Sequence, residues 1–102
     1  MTRGARSASS VMAVKDEDAL ESAKNLSAAL AADLRVVGIH DLRELRAVGA
    51  GEAWDRLYAA DLRDCLSSRL ALEGAVEGRR WMRLDPEVRE RCAAHVRRRR
   101  VG

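Results

Sequence analysis

The stretch Gly38-Ile39-His40-Asp41-Leu42-Arg43-Glu44-Leu45-Arg46-Ala47-Val48-Gly49 decides the fold. Ahead of it Leu26, Leu30, Leu34 and Val37 recur at helical spacing, with Ser27 placed to cap the first turn. Gly38 ends that helix, because glycine takes the left-handed conformation of such a stop without strain. Ile39 and His40 form the link. Asp41 then caps a second helix, and Glu44, three residues on, completes a capping-box pattern. Leu42, Leu45 and Val48 line its inner face until Gly49 stops it. The pattern predicts two helices meeting at a short apolar corner.

The helical pattern continues outward from this corner. Glu52–Ala60 reads as a third helix, with the apolar pairs Ala53/Trp54 and Leu57/Tyr58 four residues apart. Asp61–Asp64 is a polar break. A fourth helix runs from about Leu66 to Glu77, with Leu66, Leu70, Ala75 and Val76 inward, and Gly78 ends it. Trp81 and Leu84 bracket a short connector. Asp85-Pro86, an N-cap followed by proline at the first helical position, opens a last helix carrying Val88, Cys92, Ala93 and Val96 and ending in Arg97–Arg100. Upstream, residues 1–24 read as a flexible arm with a marginal helix at Asp18–Lys24, residues 25–96 as the folded domain, and residues 97–102 as a basic tail. No strand-like alternation occurs. The expectation is an all-α, compact orthogonal bundle of about five short helices. Trp54 and Trp81 are expected as buried anchors, so that removing the Trp81 ring would cost about 3–5 kcal/mol.

The chain has 102 residues, 47% of them apolar and 34% charged, which suits one domain and excludes a wholly disordered polymer. No stretch approaches the ~20 apolar residues of a membrane span, and no apolar segment follows Arg3 and Arg6 to make a secretory signal. A cytoplasmic protein is expected. The net charge of +3 hides an asymmetry: residues 1–15 carry +3, residues 16–78 carry −6, and residues 79–102 carry +6. A polyanion would be drawn to the two ends and repelled by the middle. The candidate nucleic-acid contacts are Arg79, Arg80, Arg83, Arg89, Arg97, Arg98, Arg99 and Arg100. Arg89, Arg97 and Arg100 share one side of the last helix. The competing bland reading is a solvated helix end whose cations suit the helix dipole.

Catalytic motifs are missing: there is no GxSxG, HExxH or phosphate-cradling glycine loop. Cys65 and Cys92 are expected as reduced thiols in or near the core. Cys92 and His95, three apart on a helix, would need His40 and Cys65 to complete a zinc set, and no paired CxxC spacing enforces this. No cofactor and no catalytic residue is expected.

Two runs carry a family resemblance. Asn25-Leu26, Leu30 and Leu34 lead into Gly38-Ile39-His40-Asp41-Leu42-Arg43-Glu44-Leu45-Arg46-Ala47-Val48-Gly49-Ala50, and later comes Leu70-Ala71-Leu72-Glu73-Gly74-Ala75-Val76-Glu77-Gly78-Arg79-Arg80-Trp81. In this order they resemble the C-terminal domain of the TfoX/Sxy family of bacterial competence regulators, over roughly Asn25 to Arg91. The resemblance implies a helix-hairpin-helix-like (SAM-like) unit, kin to DNA-contacting modules such as the C-terminal domain of the RNA polymerase alpha subunit, and a place in transcriptional control of DNA uptake. Family members usually carry a separate N-terminal domain, so this chain is expected as a stand-alone C-terminal domain. Where the family often has Leu-Gly-Pro, this chain reads Leu26-Ser27-Ala28, and Asp33, Asp41 and Glu44 surround the hairpin. These residues disfavour a phosphate at Gly38-Ile39.

The leading expectation is therefore a non-enzymatic regulatory domain that contacts DNA or the transcription machinery. The alternative is a protein–protein adaptor whose acidic face (Asp16, Glu17, Asp18, Glu52, Asp55, Asp61, Asp64) meets a basic partner without touching DNA. Salt-dependent duplex binding separates the two.

Overall fold

A computed structural model describes residues 18–101 of the chain. Expectations about residues 1–17, including Arg3, Arg6, Asp16 and Glu17, lie outside the described residues. Among the described residues there are five α-helices and no strand: α1 (Ala28–Val36), α2 (Leu42–Val48), α3 (Ala50–Ala59), α4 (Leu66–Glu77) and α5 (Pro86–Val101). A 3-10 turn at Leu20–Ser22 stands where a marginal helix was expected, and a second one covers Trp81–Arg83.

The sequence signals act locally as their chemistry requires. Ser27 Oγ accepts from the Leu30 N–H at 3.1 Å, and Asp41 Oδ1 accepts from the Glu44 N–H at 2.8 Å. Glu44 reaches back one residue further than a standard capping box, its Oε1 accepting from the His40 N–H at 2.7 Å. At the end of α1 the Ile39 N–H bonds to Leu34 O and the Gly38 N–H to Arg35 O, with Gly38 at φ 89°. This is a Schellman stop, and its usual apolar contact falls on Ile39 and Leu34, both fully buried. The Arg79 N–H closes on Gly74 O in the same way at Gly78, φ 74°. A third copy ends α3, where the Leu62 N–H reaches Leu57 O and Asp61 takes the left-handed position at φ 61°. The polar break expected at Asp61–Asp64 is thus an ordered helix stop. One junction is tighter than expected: α3 starts at Ala50, directly after Gly49, because the turn at Gly49 needs no linker.

The core joins Leu20, Leu26, Leu30, Leu34, Ile39, Leu42, Leu45, Ala53, Trp54, Leu57 and Leu72, with Leu70, Leu84 and Cys92 forming a smaller cluster under α5. Leu20 is fully buried, so the residues just ahead of α1 belong to the packed body. They are held by Glu21, whose two oxygens accept from Arg35 at 2.7 and 2.8 Å. Trp54 is the indole of the core. It is fully buried, its Nε1–H donates to Ser68 Oγ at 3.0 Å, and its ring centroid lies 5.2 Å from those of Tyr58 and His95. Trp81 is not buried: it stays 40% exposed, which corrects the expectation of a second core anchor. What the structure secures there is the backbone, since Asn25 Nδ2 donates to Arg79 O at 2.7 Å and Asn25 Oδ1 accepts from the Trp81 N–H at 3.0 Å. With both peptide groups tied, the ring is free to face outward.

Trp54→Ala is expected to cost about 3–5 kcal/mol in urea unfolding, and Trp81→Ala less than about 1 kcal/mol. Equal losses would contradict this division of roles. Hydrogen bonds from Arg35 hold the Glu21 carboxyl down at about 2. Its contribution is present above the ordinary carboxylate value and fades as pH falls toward the folded-state value. The difference in melting temperature between the native chain and Glu21→Gln should therefore be largest near neutrality and shrink through that acid window.

Candidate functional site

Helix α5 carries the arginine run to the end of the described chain. The basic residues at which the last helix was expected to end are helical through Val101, and Arg97, Arg98, Arg99 and Arg100 are all exposed. Placing cations in the last helical turn is favourable, because the unpaired carbonyls there carry partial negative charge. Two of the four are engaged. Arg97 Nη2 lies 2.9 Å from Glu90, an exposed pair of little energetic weight. Arg99 Nε lies 3.2 Å from Asp55, and its guanidinium sits 5.2 Å from the Tyr58 ring centroid. Arg98 and Arg100 have no carboxylate partner among the described residues. The run therefore splays its cations around the end of the helix and is fixed to the body at one point, Arg99.

That fixed point is the outer end of a partly buried polar chain between α3, α4 and α5. Arg69, only 8% exposed, donates from Nη1 to Glu73 Oε1 at 2.8 Å and from Nε to His95 Nδ1 at 2.9 Å. A guanidinium can only donate, so His95 accepts at Nδ1 and gives its Nε2–H to Asp55 Oδ1, 2.9 Å away. Asp55 then takes Arg99. Burial opposes ionisation of Glu73, but hydrogen bonds from Arg69 and Glu77 and the fields of Arg69 and Arg91 outweigh it and lower its pKa. Glu77 is pushed up, by burial first and then by the neighbouring Glu73. Sequence reasoning missed this chain. Its one legible sign was the Arg69/Glu73 pair, four residues apart, lying on the same stripe of α4 as Leu66, Leu72 and Val76.

The other candidate arginines lie around the connector that follows Gly78. Arg89 places its guanidinium 5.9 Å from the Trp81 centroid, so the exposed indole is partly covered by a cation. Arg79 bonds to Arg83 O at 3.5 Å and stands 4.0 Å from Glu77. Arg80 and Arg83 make no ion pair among the described residues. Of the thiols, Cys92 is buried, and burial raises its pKa. Cys65 is exposed at the start of α4, which departs from the expected core position. Partial burial works against its thiolate, yet the Ser67 and Ser68 hydroxyls and the Ser68 backbone prevail and lower its pKa. Among the described residues no three His, Cys, Asp or Glu side chains gather as a metal site, and His40 pairs instead with Glu44 at 2.9 Å.

The family profile of the TfoX C-terminal domain matches residues 16–96. The chain belongs to that family. Two solved structures share the fold of this TfoX C-terminal domain. One is a triclinic crystal structure of an uncharacterized protein from Listeria monocytogenes, with TM-score 0.70 and 38% identity over 72% of this chain and 84% of that one. The other is a tetragonal crystal structure of a Listeria monocytogenes protein of unknown function, with TM-score 0.69 and 38% identity over 72% of this chain and 90% of that one. No curated protein matches the chain. The match begins at residue 16, ahead of the Asn25 at which the resemblance starts, in keeping with the burial of Leu20.

Within this TfoX C-terminal domain, removing Arg69 takes away the ion-pair partner of Glu73 and leaves His95 Nδ1 without its donor. Arg69→Ala is expected to lower unfolding free energy by about 3–5 kcal/mol. An effect in urea melts no larger than that of an exposed arginine would dismiss the network as a structural element.

Proposed function

We propose that this TfoX C-terminal domain is a non-enzymatic regulatory module that engages nucleic-acid phosphates through the arginine-rich end of α5, in transcriptional control of competence. The observation that carries the reading is the helical continuation of Arg97–Arg100 through Val101, with Arg99 moored to Asp55 and Tyr58 while Arg98 and Arg100 are exposed and have no carboxylate partner among the described residues. Guanidinium groups held on a helix lose less freedom on meeting phosphate than the same groups on a loose tail. They also suit bidentate contact with phosphate oxygens. Contacts of this kind give affinity and position rather than sequence choice. The Gly38-Ile39 corner supports a structural role instead, because its amides are spent on Arg35 O and Leu34 O and Ile39 is fully buried.

The adaptor alternative draws less support. Two members of its acidic face already serve the fold, Asp55 with His95 and Arg99, and Glu52 with Arg56 at 3.1 Å. A non-catalytic reading agrees with the histidines, since His95 is occupied at both nitrogens and His40 is paired with Glu44.

Duplex-DNA binding followed by fluorescence anisotropy over a salt series tests the proposal. Binding at low salt is expected, with a log–log salt slope that flattens by about 2 in Arg98→Ala/Arg100→Ala. No binding at low salt, or a slope indifferent to that double substitution, would refute it.

A further inference from the structure

On the side of the fold formed by the connector, the start of α1 and helix α2, a cavity of about 350 Å³ opens to solvent. Its lining holds Lys24, Arg46, Arg79 and Arg80, and no carboxylate. These cations come from three separate places in the chain: the segment before α1, the outer side of α2, and the residues after Gly78. Lys24, Arg46 and Arg80 make no ion pair among the described residues, and Arg79 has only the 4.0 Å approach of Glu77. Acids close by in sequence are drawn elsewhere, Glu21 to Arg35 and Glu44 to His40.

The concave shape is built into the fold. Asn25 crosses from the foot of α1 to the connector, bonding Arg79 O and the Trp81 N–H, and so fixes the backbone that bears Arg79 and Arg80. It fits only because residue 74 is glycine: a Cβ there would stand 2.5 Å from Asn25 Nδ2 and 2.7 Å from Arg79 O. Leu42 and Ala75 supply an apolar floor. The volume is that of a small-molecule site, which spans roughly 300–1,000 Å³.

We infer that this cleft binds a small organic phosphate monoester, with Lys24, Arg46, Arg79 and Arg80 around the phosphate and the carbon skeleton over Leu42 and Ala75. A monoester carries about −1.5 to −2 charges at neutral pH. A phosphodiester carries one, so a cation-rich, carboxylate-free cleft of this size favours the monoester. The site uses none of Arg97–Arg100 and stands or falls separately from the DNA-binding reading.

Amide NMR of the full chain, titrated with inorganic phosphate, with adenosine monophosphate and with a short DNA duplex, tests the inference. Both small anions should shift Asn25, Arg46, Gly78 and Arg80 along saturating curves, with adenosine monophosphate also moving Leu42 and Ala75. Arg46→Ala/Arg80→Ala should weaken this binding by about tenfold or more. Both side chains are exposed, so an unchanged melting temperature will show that the fold is intact. Arg98→Ala/Arg100→Ala should leave the small-anion curves unaltered. Linear, unsaturating shifts spread over all arginines would overturn the inference. So would saturation of the cleft by duplex DNA alone, which would make it a nucleic-acid contact.

Discussion

The packing of Trp54 is the constraint on which the rest of the structure depends. In a chain with three aromatic residues, one indole fills the space where α3, α4 and α5 meet. It does so with its polar edge satisfied by Ser68, whose own hydroxyl donates to Cys65 O at 2.8 Å. The ring lies edge-on to His95. The same residue that closes the core thereby touches the polar chain holding α5. A buried indole with an unpaired N–H would be costly. Ser68 removes that cost and couples the start of α4 to the core.

Around this hub the helices are aimed by their ends rather than by long interfaces. Three helices stop in the same hydrogen-bonded form, two with glycine and one with Asp61 in the left-handed position. Each stop redirects the chain within two residues, which is how five helices fit into so short a domain. Asp61 pays a conformational penalty at that position that glycine would not. Aspartate is among the few other residues that adopt this conformation, because its short polar side chain can hydrogen-bond locally.

Charge is sorted by depth. Arg69 is buried and the half-buried Glu73 pairs with it to bind structure together, while Arg97, Arg98 and Arg100 stay in water and cost little to present. Arg99 joins the two regimes by reaching Asp55, the last acceptor of the partly buried chain. The arginine-rich end of α5 therefore inherits its orientation from the core. The cleft at Arg46 and Arg80 is fixed by other means, through Asn25 and the missing Cβ of Gly74.

Local chemistry made much of the architecture legible. Ser27, Asp41, Gly38, Gly78 and Asp85-Pro86 mark helix ends because caps and stops involve groups within a few residues of one another, and those bonds form much as the pattern implied. The eight candidate arginines could be named from composition alone, but not sorted. Whether an arginine is buried, paired or presented depends on side chains far along the chain, such as His95 for Arg69 and Asp55 for Arg99. Trp81 is exposed for the same reason, since a ring is buried only if the fold brings a surface to cover it, and Asn25 satisfies the backbone there instead. Sequence by itself determined that the chain is helical and where most of its helices are capped and stopped. Only the tertiary structure decided which charges belong to the core and which to the surface, because desolvation depends on what the folded chain brings alongside each group.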